Sequence, residues 1–338
     1  MAISLASFAK INIGLRIGSL RADGFHELRT VYQTIGLRDL VSVSVGRGSG
    51  IEIRCDDPRV PKDSTNTCFR IVERAMQVLK ARGRVVIEIE KRLPVQGGLG
   101  GASGNAVAAL LGLERAVRKQ LSAGERLQIA AEVGSDLPLF LIGGTVLGVG
   151  HGEEVYPLPD LPVIPCVVAL PEIAVSTPKA FADWDKLCGS AASAYEKGFR
   201  DSAKLTPSTH SDRMLEFSRE ISAWLSAVPI TGRRRSGVSA IGGGRAENLL
   251  LDLVRTGIEN DFEKVVFPKY PEMREVKRVL EQSGARYASL SGSGSAIYGL
   301  FDSRERAAAA AKKLSRHGTH AVVTSTLTRQ QYWKAQSS

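Results

Sequence analysis

The sequence predicts an α+β chain of two domains, on three observations. Apolar residues alternate over 3–8, 13–17, 28–35, 41–45, 51–55 and 85–89, which marks a strand-rich first half. The second half runs helix, strand, strand, helix, strand, the order of an α/β sandwich. A length of 338 residues, 43% hydrophobic and 24% charged, is enough for about two cores. The expected domains are 1–160 and 161–338.

Helical patterns interrupt the first half at 66–79 and 103–117. Ser122-Ala123-Gly124-Glu125 is a capping box opening a third helix that ends near Gly134. Strands follow at 145–149 and 163–170. The stretch 188–209 is rich in Ser, Ala and charge without steady periodicity, and reads as a linker or loop. Beyond it, helices are expected at 211–226, 259–266, 271–283 and 303–314, with strands at 286–289, 295–301 and 320–324. No internal repeat is visible.

Composition narrows the function. The apolar stretches are far shorter than the roughly 20 residues that span a bilayer, and the first ten residues lack the pattern of a signal peptide, so no membrane association and a cytoplasmic location are expected. Cys55, Cys68, Cys166 and Cys188 stand far apart with no Cys-x2-Cys pair, which indicates buried reduced thiols rather than a zinc site or disulfide framework. A formal charge of +10 suits an anionic ligand but by itself leaves a nucleic-acid or membrane-surface partner open. The run Arg233-Arg234-Arg235 lies among Gly and Ser without aromatic neighbours, as a solvated loop would.

The most informative segment is Pro94-Val95-Gln96-Gly97-Gly98-Leu99-Gly100-Gly101-Ala102-Ser103-Gly104-Asn105-Ala106, which leads into the apolar helix beginning Val107-Ala108. A glycine-rich turn opening a helix bares backbone N–H groups at the positive end of the helix dipole, a site for a phosphate chain. No lysine completes a P-loop, and the dinucleotide spacing counted from Gly98 ends on Ser103 instead of glycine. Alone, the cluster also reads as turn punctuation.

Pro94, Gly98, Leu99 and Gly100 fall in register with the Pro-x3-Gly-Leu-Gly signature of the GHMP kinase superfamily, which this chain resembles. Four further stretches follow in the order of one branch: Ala9-Lys10-Ile11-Asn12 with Asp23-Gly24-Phe25-His26-Glu27-Leu28, then Gly134-Ser135-Asp136-Leu137-Pro138, then Ser176-Thr177, then Ser291-Gly292-Ser293-Gly294-Ser295. The resemblance implies an N-terminal domain like ribosomal protein S5 domain 2 and a C-terminal ferredoxin-like sandwich. It implies ATP and Mg2+ as cofactors, with Pro94 through Gly104 holding the nucleotide. The substrate it implies is 4-diphosphocytidyl-2-C-methyl-D-erythritol, phosphorylated on its 2-hydroxyl in non-mevalonate isoprenoid synthesis, by a monomer or homodimer with no nucleic-acid partner.

Phosphoryl transfer needs charge neutralisation, in-line placement and an acceptor for the hydroxyl proton. By resemblance, Asp136 is the base and Lys10 its partner near the reacting oxygen. Taken alone, Asp136 reads as a helix or turn cap and Lys10 as a strand-end surface lysine. Asn12 carries over as a substrate contact, Phe25 and Phe181 as a sandwich for cytosine, His26 as a hydrogen-bond partner of base or ribose, and Thr177 as their neighbour. His26 has no second histidine for a zinc motif, and no protein metal ligands are expected. Phe25 stands where the family usually has tyrosine. Gln96, Ala102 and Gly104 replace its usual Gly, Gly and Ser, leaving Ser103 as the loop's hydroxyl. The rivals are another GHMP kinase, of homoserine or mevalonate type, and a non-enzymatic nucleic-acid binder.

Overall fold

The computed structural model describes residues 2–196, 210–227 and 258–336. Its strands are β1 (Ile3–Leu20), β2 (His26–Gly46), β3 (Ile51–Arg54), β4 (Arg84–Glu90), β5 (Thr145–Val149), β6 (Glu154–Pro157), β7 (Pro165–Leu170), β8 (Tyr287–Leu290), β9 (Ile297–Leu300) and β10 (His320–Ser325). Its helices are α1 (Thr67–Leu79), α2 (Gly101–Val117), α3 (Ala123–Val133), α4 (Leu137–Ile142), α5 (Thr177–Glu196), α6 (His210–Ala227), α7 (Glu263–Lys269), α8 (Pro271–Gln282), α9 (Arg304–Arg316) and α10 (Arg329–Gln336). One sheet runs β3-β4-β2-β5-β6 with β1 on β2, and the other runs β10-β7-β9-β8.

The described chain divides into two compact units. Unit one holds residues 1–11, 31–160 and 324–338. Its core places α2 among α1, α3, α4 and the sheet; every residue from Gly104 to Glu114 is buried, so α2 is apolar nearly all round. Gly104, Ala108 and Gly112 recur at i, i+4 and i+8 and form a narrow stripe on that helix. A Cβ at Gly104 would meet the Phe8 carbonyl at 2.9 Å, and one at Gly112 would meet Val43 at 2.8 Å. The stripe lets α2 lie close on the strands, which explains why serine is absent at 104.

Unit two holds residues 12–30 and 161–323 and has its own core, built from β7, β8 and β9 with α5, α7, α8 and α9. β7 and β8 each pair antiparallel with β9. Glu263, Asn260 and Asp261 bond inward to strand and turn backbone in this unit, fixing the turn after β8.

Several elements differ from the sequence reading. The strands expected at 3–8 and 13–17 are one strand of 18 residues, and those at 28–35 and 41–45 are one of 21. Residues 188–196, expected as loop, complete α5; the rest of that stretch, 197–209, and the Arg233-Arg235 run lie outside the described residues. Helix α7 starts at Glu263 rather than 259, because Asn260 and Asp261 are committed to strand-side bonds. Strand β6 and helix α10 were not anticipated, the first because only four residues pair, the second because its mean pattern is polar. The capping box at Ser122 and Glu125 is present with both of its bonds. Cys55, Cys68 and Cys166 are buried free thiols and Cys188 is half-buried; burial pushes Cys68 up to about 12. Among the described residues no helix is long and apolar enough to cross a membrane.

Candidate active site

In unit one the glycine loop closes onto the N-terminus of α2. Gly98 and Gly100 have φ of +73° and +69°, in the left-handed region where glycine carries no steric penalty. Gly100 is the N-cap of α2 and makes no side-chain cap bond. The first-turn N–H groups are therefore not consumed by a capping side chain, the condition an anion site requires. Gln96 also sits at φ +62°, where the family's usual glycine would be unstrained.

Behind the loop, Asp39 is fully buried and anchors its entry. Its carboxylate accepts from the Arg92 and Leu93 backbone N–H groups at 2.7 Å each, from Lys91 Nζ at 2.5 Å and from Asn105 Nδ2 at 2.9 Å. A cavity of about 380 Å³ opens beside it, floored by residues 94–103. Pro94, Val95, Gln96, Gly97, Gly98, Leu99, Gly100, Gly101, Ala102 and Ser103 all line it, while Gly104 is turned to β1. Its opposite wall is the segment 59–68, which sequence reasoning missed: Thr67 Oγ1 bonds the Ala102 carbonyl at 3.0 Å and Asn66 caps α1. The signal was available in the Asn66 cap pattern, but nothing in it points toward the loop.

Next to the loop stand Lys10 and Asp136. The Lys10 backbone N–H donates to the Leu99 carbonyl at 2.9 Å, stitching β1 to the loop, and Lys10 Nζ lies 3.3 Å from Asp136 Oδ2. The Lys10 side chain is 4% exposed and that of Asp136 33%, so a strand-end surface lysine is ruled out. Asp136 occupies the N-cap position of α4 but makes no cap bond. Its other oxygen accepts from Tyr32 Oη at 2.9 Å, and Lys10 Nζ lies 5.6 Å from the centre of the Tyr32 ring. Tyr32 is buried, and desolvation followed by the adjacent Asp136 charge drives its phenol well above the usual range. Tyr32 belongs to this cluster although sequence reasoning passed over it; an aromatic on an alternating strand looks like ordinary core.

Phe140 and Lys10 also define Gly100. A Cβ there would meet Phe140 at 2.9 Å and Lys10 Cγ at 3.0 Å, so a side chain would point into the Lys10 side and not into the cavity. Beyond Asp136, Ser135 Oγ and His151 Nδ1 are 2.6 Å apart, and the turn at Gly152 closes over Tyr32.

In unit two the remaining predicted residues form two groups. His26 is buried, stacks on Phe181 with centroids 5.0 Å apart and planes 10° off parallel, and bonds Asp185 through Nε2 at 2.8 Å. Phe181 also meets Phe262 edge-on at 5.0 Å. Phe25 follows the Asp23-Gly24 turn and is 56% exposed. The ring stacked on Phe181 is thus that of His26. Thr177 Oγ1 lies 2.7 Å from Ser293 Oγ, which ties the start of α5 to the turn between β8 and β9. Asn12 is buried, with its Nδ2 on Thr30 Oγ1 at 2.8 Å.

The fold and this loop define a class. Residues 66–144 match the GHMP kinases N terminal domain and residues 245–320 match the GHMP kinases C terminal model. A 4-diphosphocytidyl-2-C-methyl-D-erythritol kinase of Solibacter usitatus is 34% identical over 318 residues, covering 94% of this chain and 87% of that one. Its namesake in Acaryochloris marina is 34% identical over 314 residues, covering 93% and 91%. A crystal structure of a 4-(cytidine 5'-diphospho)-2C-methyl-D-erythritol kinase superposes with a TM-score of 0.66 at 27% identity, covering 96% of this chain and 99% of that one. Homoserine kinase from Cytophaga hutchinsonii, at 18% identity and TM-score 0.70, shares the fold. The chain belongs to the 4-diphosphocytidyl-2-C-methyl-D-erythritol kinase family of the GHMP kinases, and is an ATP-dependent phosphotransferase.

Proposed function

We propose that this chain transfers the γ-phosphoryl group of ATP to the 2-hydroxyl of 4-diphosphocytidyl-2-C-methyl-D-erythritol. The observation that supports this best is the Lys10–Asp136 pair beside a helix-opening glycine loop, with Tyr32 fixing the second carboxylate oxygen. Asp136, held by Lys10 and Tyr32 and not by its own helix, accepts the hydroxyl proton. Lys10 supplies positive charge where charge develops on the transferred group. Little covalent work remains, since phosphoryl transfer is mostly placement and electrostatics.

The loop suits a triphosphate because its N–H groups are uncapped and two of its glycines are left-handed. Among the described residues no group of three or more His, Cys, Asp or Glu side chains stands together to hold a metal ion. Mg2+ would come with the nucleotide at the glycine loop and would supply neutralisation of phosphate charge there. For the cytidine end, His26 Nε2 lies 2.8 Å from Asp185 Oδ1, and in the tautomer that donates from Nε2 its Nδ1 is left to accept from an amino group such as that of cytosine. The exposed Phe25 ring offers a stacking face.

The test is ATP consumption by the purified chain across candidate alcohols. Turnover with the cytidyl substrate, and none with homoserine or mevalonate, is the expected result. Good turnover of homoserine or mevalonate with the cytidyl compound ignored would overturn the substrate assignment.

A further inference from the structure

Unit one has a second cleft, of about 520 Å³, larger than the one at the glycine loop. It lies where the C-terminal end of α2, the N-terminal part of α3, the end of α4 and helix α10 meet. Its apolar lining includes Leu127, Ile142 and the Trp333 indole, and its cationic lining is Arg115, Arg118 and Arg126. Of these, Arg126 is neutralised by the buried Glu114, with both carboxylate oxygens 3.0 Å from Nε. Arg118 is exposed in a left-handed C-cap conformation, and no carboxylate pairs with it among the described residues. A volume in the few-hundred Å³ range, a mostly apolar lining and a few convergent charged groups are what small-ligand sites have in common.

Position gives this cleft a consequence. Helix α2 begins at the glycine loop and ends at the cleft, and α4 begins at Asp136 and ends there with Ile142. Trp333 Nε1 donates to the Ile142 carbonyl at 3.0 Å, so the indole of the apolar lining is bonded to the last residue of α4. Six helical residues span only about 9 Å at 1.5 Å each. Anything that moves Trp333 acts on a short, rigid rod whose other end is Asp136.

We propose that this cleft is a regulatory site for a small anion with a flat apolar body. The anion sits at Arg118 and the body lies along Trp333 and Leu127. Occupancy shifts α4 and through it the carboxylate of Asp136. The binding part stands by itself; the effect on turnover rests on the proposed kinase reaction.

The probe is 1-naphthyl phosphate, titrated calorimetrically into the full chain with saturating ADP present, beside inorganic phosphate and neutral 1-naphthol. One-to-one binding of naphthyl phosphate is expected, with the other two at least 10-fold weaker because each lacks half of the recognised chemistry. Arg118→Ser should weaken it at least 10-fold while leaving probe-free turnover unchanged. Leu127→Glu, which sets a carboxylate in the apolar lining, is the second variant and should weaken binding likewise. In wild type the bound probe should change kcat at least twofold with the KM for ATP unaltered, and Arg118→Ser should abolish that response. Equal affinity in wild type and both variants, or complete loss of binding with ADP, would overturn the site. Tight binding with unchanged kcat in an enzyme active on its substrate would overturn the regulatory role.

Discussion

Removing one oxygen, in Tyr32→Phe, isolates what holds Asp136. The ring is 2% exposed and phenylalanine refills its volume, so neither a cavity nor a clash arises. Its cation–π approach to Lys10 survives as well. What goes is the 2.9 Å bond from Tyr32 Oη to Asp136 Oδ1. A hydrogen bond to a charged acceptor is worth about 1.5–3 kcal/mol, but most of the cost of deleting one comes from a partner left dry. The Asp136 side chain is 33% exposed, so water can take the vacated position. The stability loss should therefore fall at or below the low end, about 1 kcal/mol.

Turnover is where the deletion should be felt. With Oδ1 released, Lys10 alone holds the carboxylate and it can rotate about its side chain. Loss of general-base function outright costs at least ~100-fold, and a mispositioned but intact base should lose less, roughly 10-fold. The assay is kcat and KM for both substrates, with thermal unfolding as the control. A kcat within twofold of wild type would refute the positioning role of Tyr32. A loss equal to that of Asp136→Asn in a normally folded variant would mean that the phenol itself meets the substrate.

Asp136→Asn should lower kcat at least ~100-fold with ATP binding intact, and near-normal turnover would reduce Asp136 to the end of a helix. Gly100→Ala should impair turnover more than nucleotide affinity, since its Cβ would press Lys10 and Phe140 and would be strained at φ +69°; equal loss in both would place the side chain in the nucleotide cavity after all. Gly104→Ser should destabilise by about 1–3 kcal/mol through contact with the Phe8 carbonyl, measured by denaturant unfolding, and a neutral effect would show that α2 can lift off β1. His26→Ala should raise the KM for the cytidyl substrate with ATP unaffected, whereas a change confined to ATP would remove His26 from cytosine recognition. Stability should also fall in alkali: Tyr32, Tyr287, Tyr298 and Tyr332 are all raised by burial, so their contribution is complete below the ordinary phenol value near ~10 and is lost as pH climbs through the folded values. Unfolding midpoints that stay flat to pH 11 would contradict it.

What the sequence made legible was chemistry carried by local pattern. Five glycines within 97–104, running into an apolar helix, announce a turn with bare N–H groups, and the loop stands where that pattern puts it. The Ser122–Glu125 box likewise declares itself within four residues. Chemistry assembled by tertiary folding was not legible. Tyr32 reaches Asp136 across 104 positions, and segment 59–68 comes to face the loop only because α1 packs on α2. The two long strands read as four because side chains at 9–12 and 36–40 interrupt alternation while the strands continue through them.

Two departures from local rules carry more information about the site than any residue that obeys them. Asp136 stands at an N-cap, where an aspartate ordinarily bonds the next turn's N–H groups and gains about 1 kcal/mol, yet its oxygens go to Lys10 and Tyr32 instead. Gln96 holds a left-handed conformation that costs a non-glycine residue roughly 1–2 kcal/mol, at the edge of the glycine loop. Local preference and native geometry agree through most of a natural chain, and where they part, the difference must be offset by contacts elsewhere. For Asp136 those contacts are a buried lysine and a buried phenol, two groups that have no reason to converge on a helix end unless the carboxylate is wanted free of the helix. That convergence is what the proposed base requires and a helix cap does not.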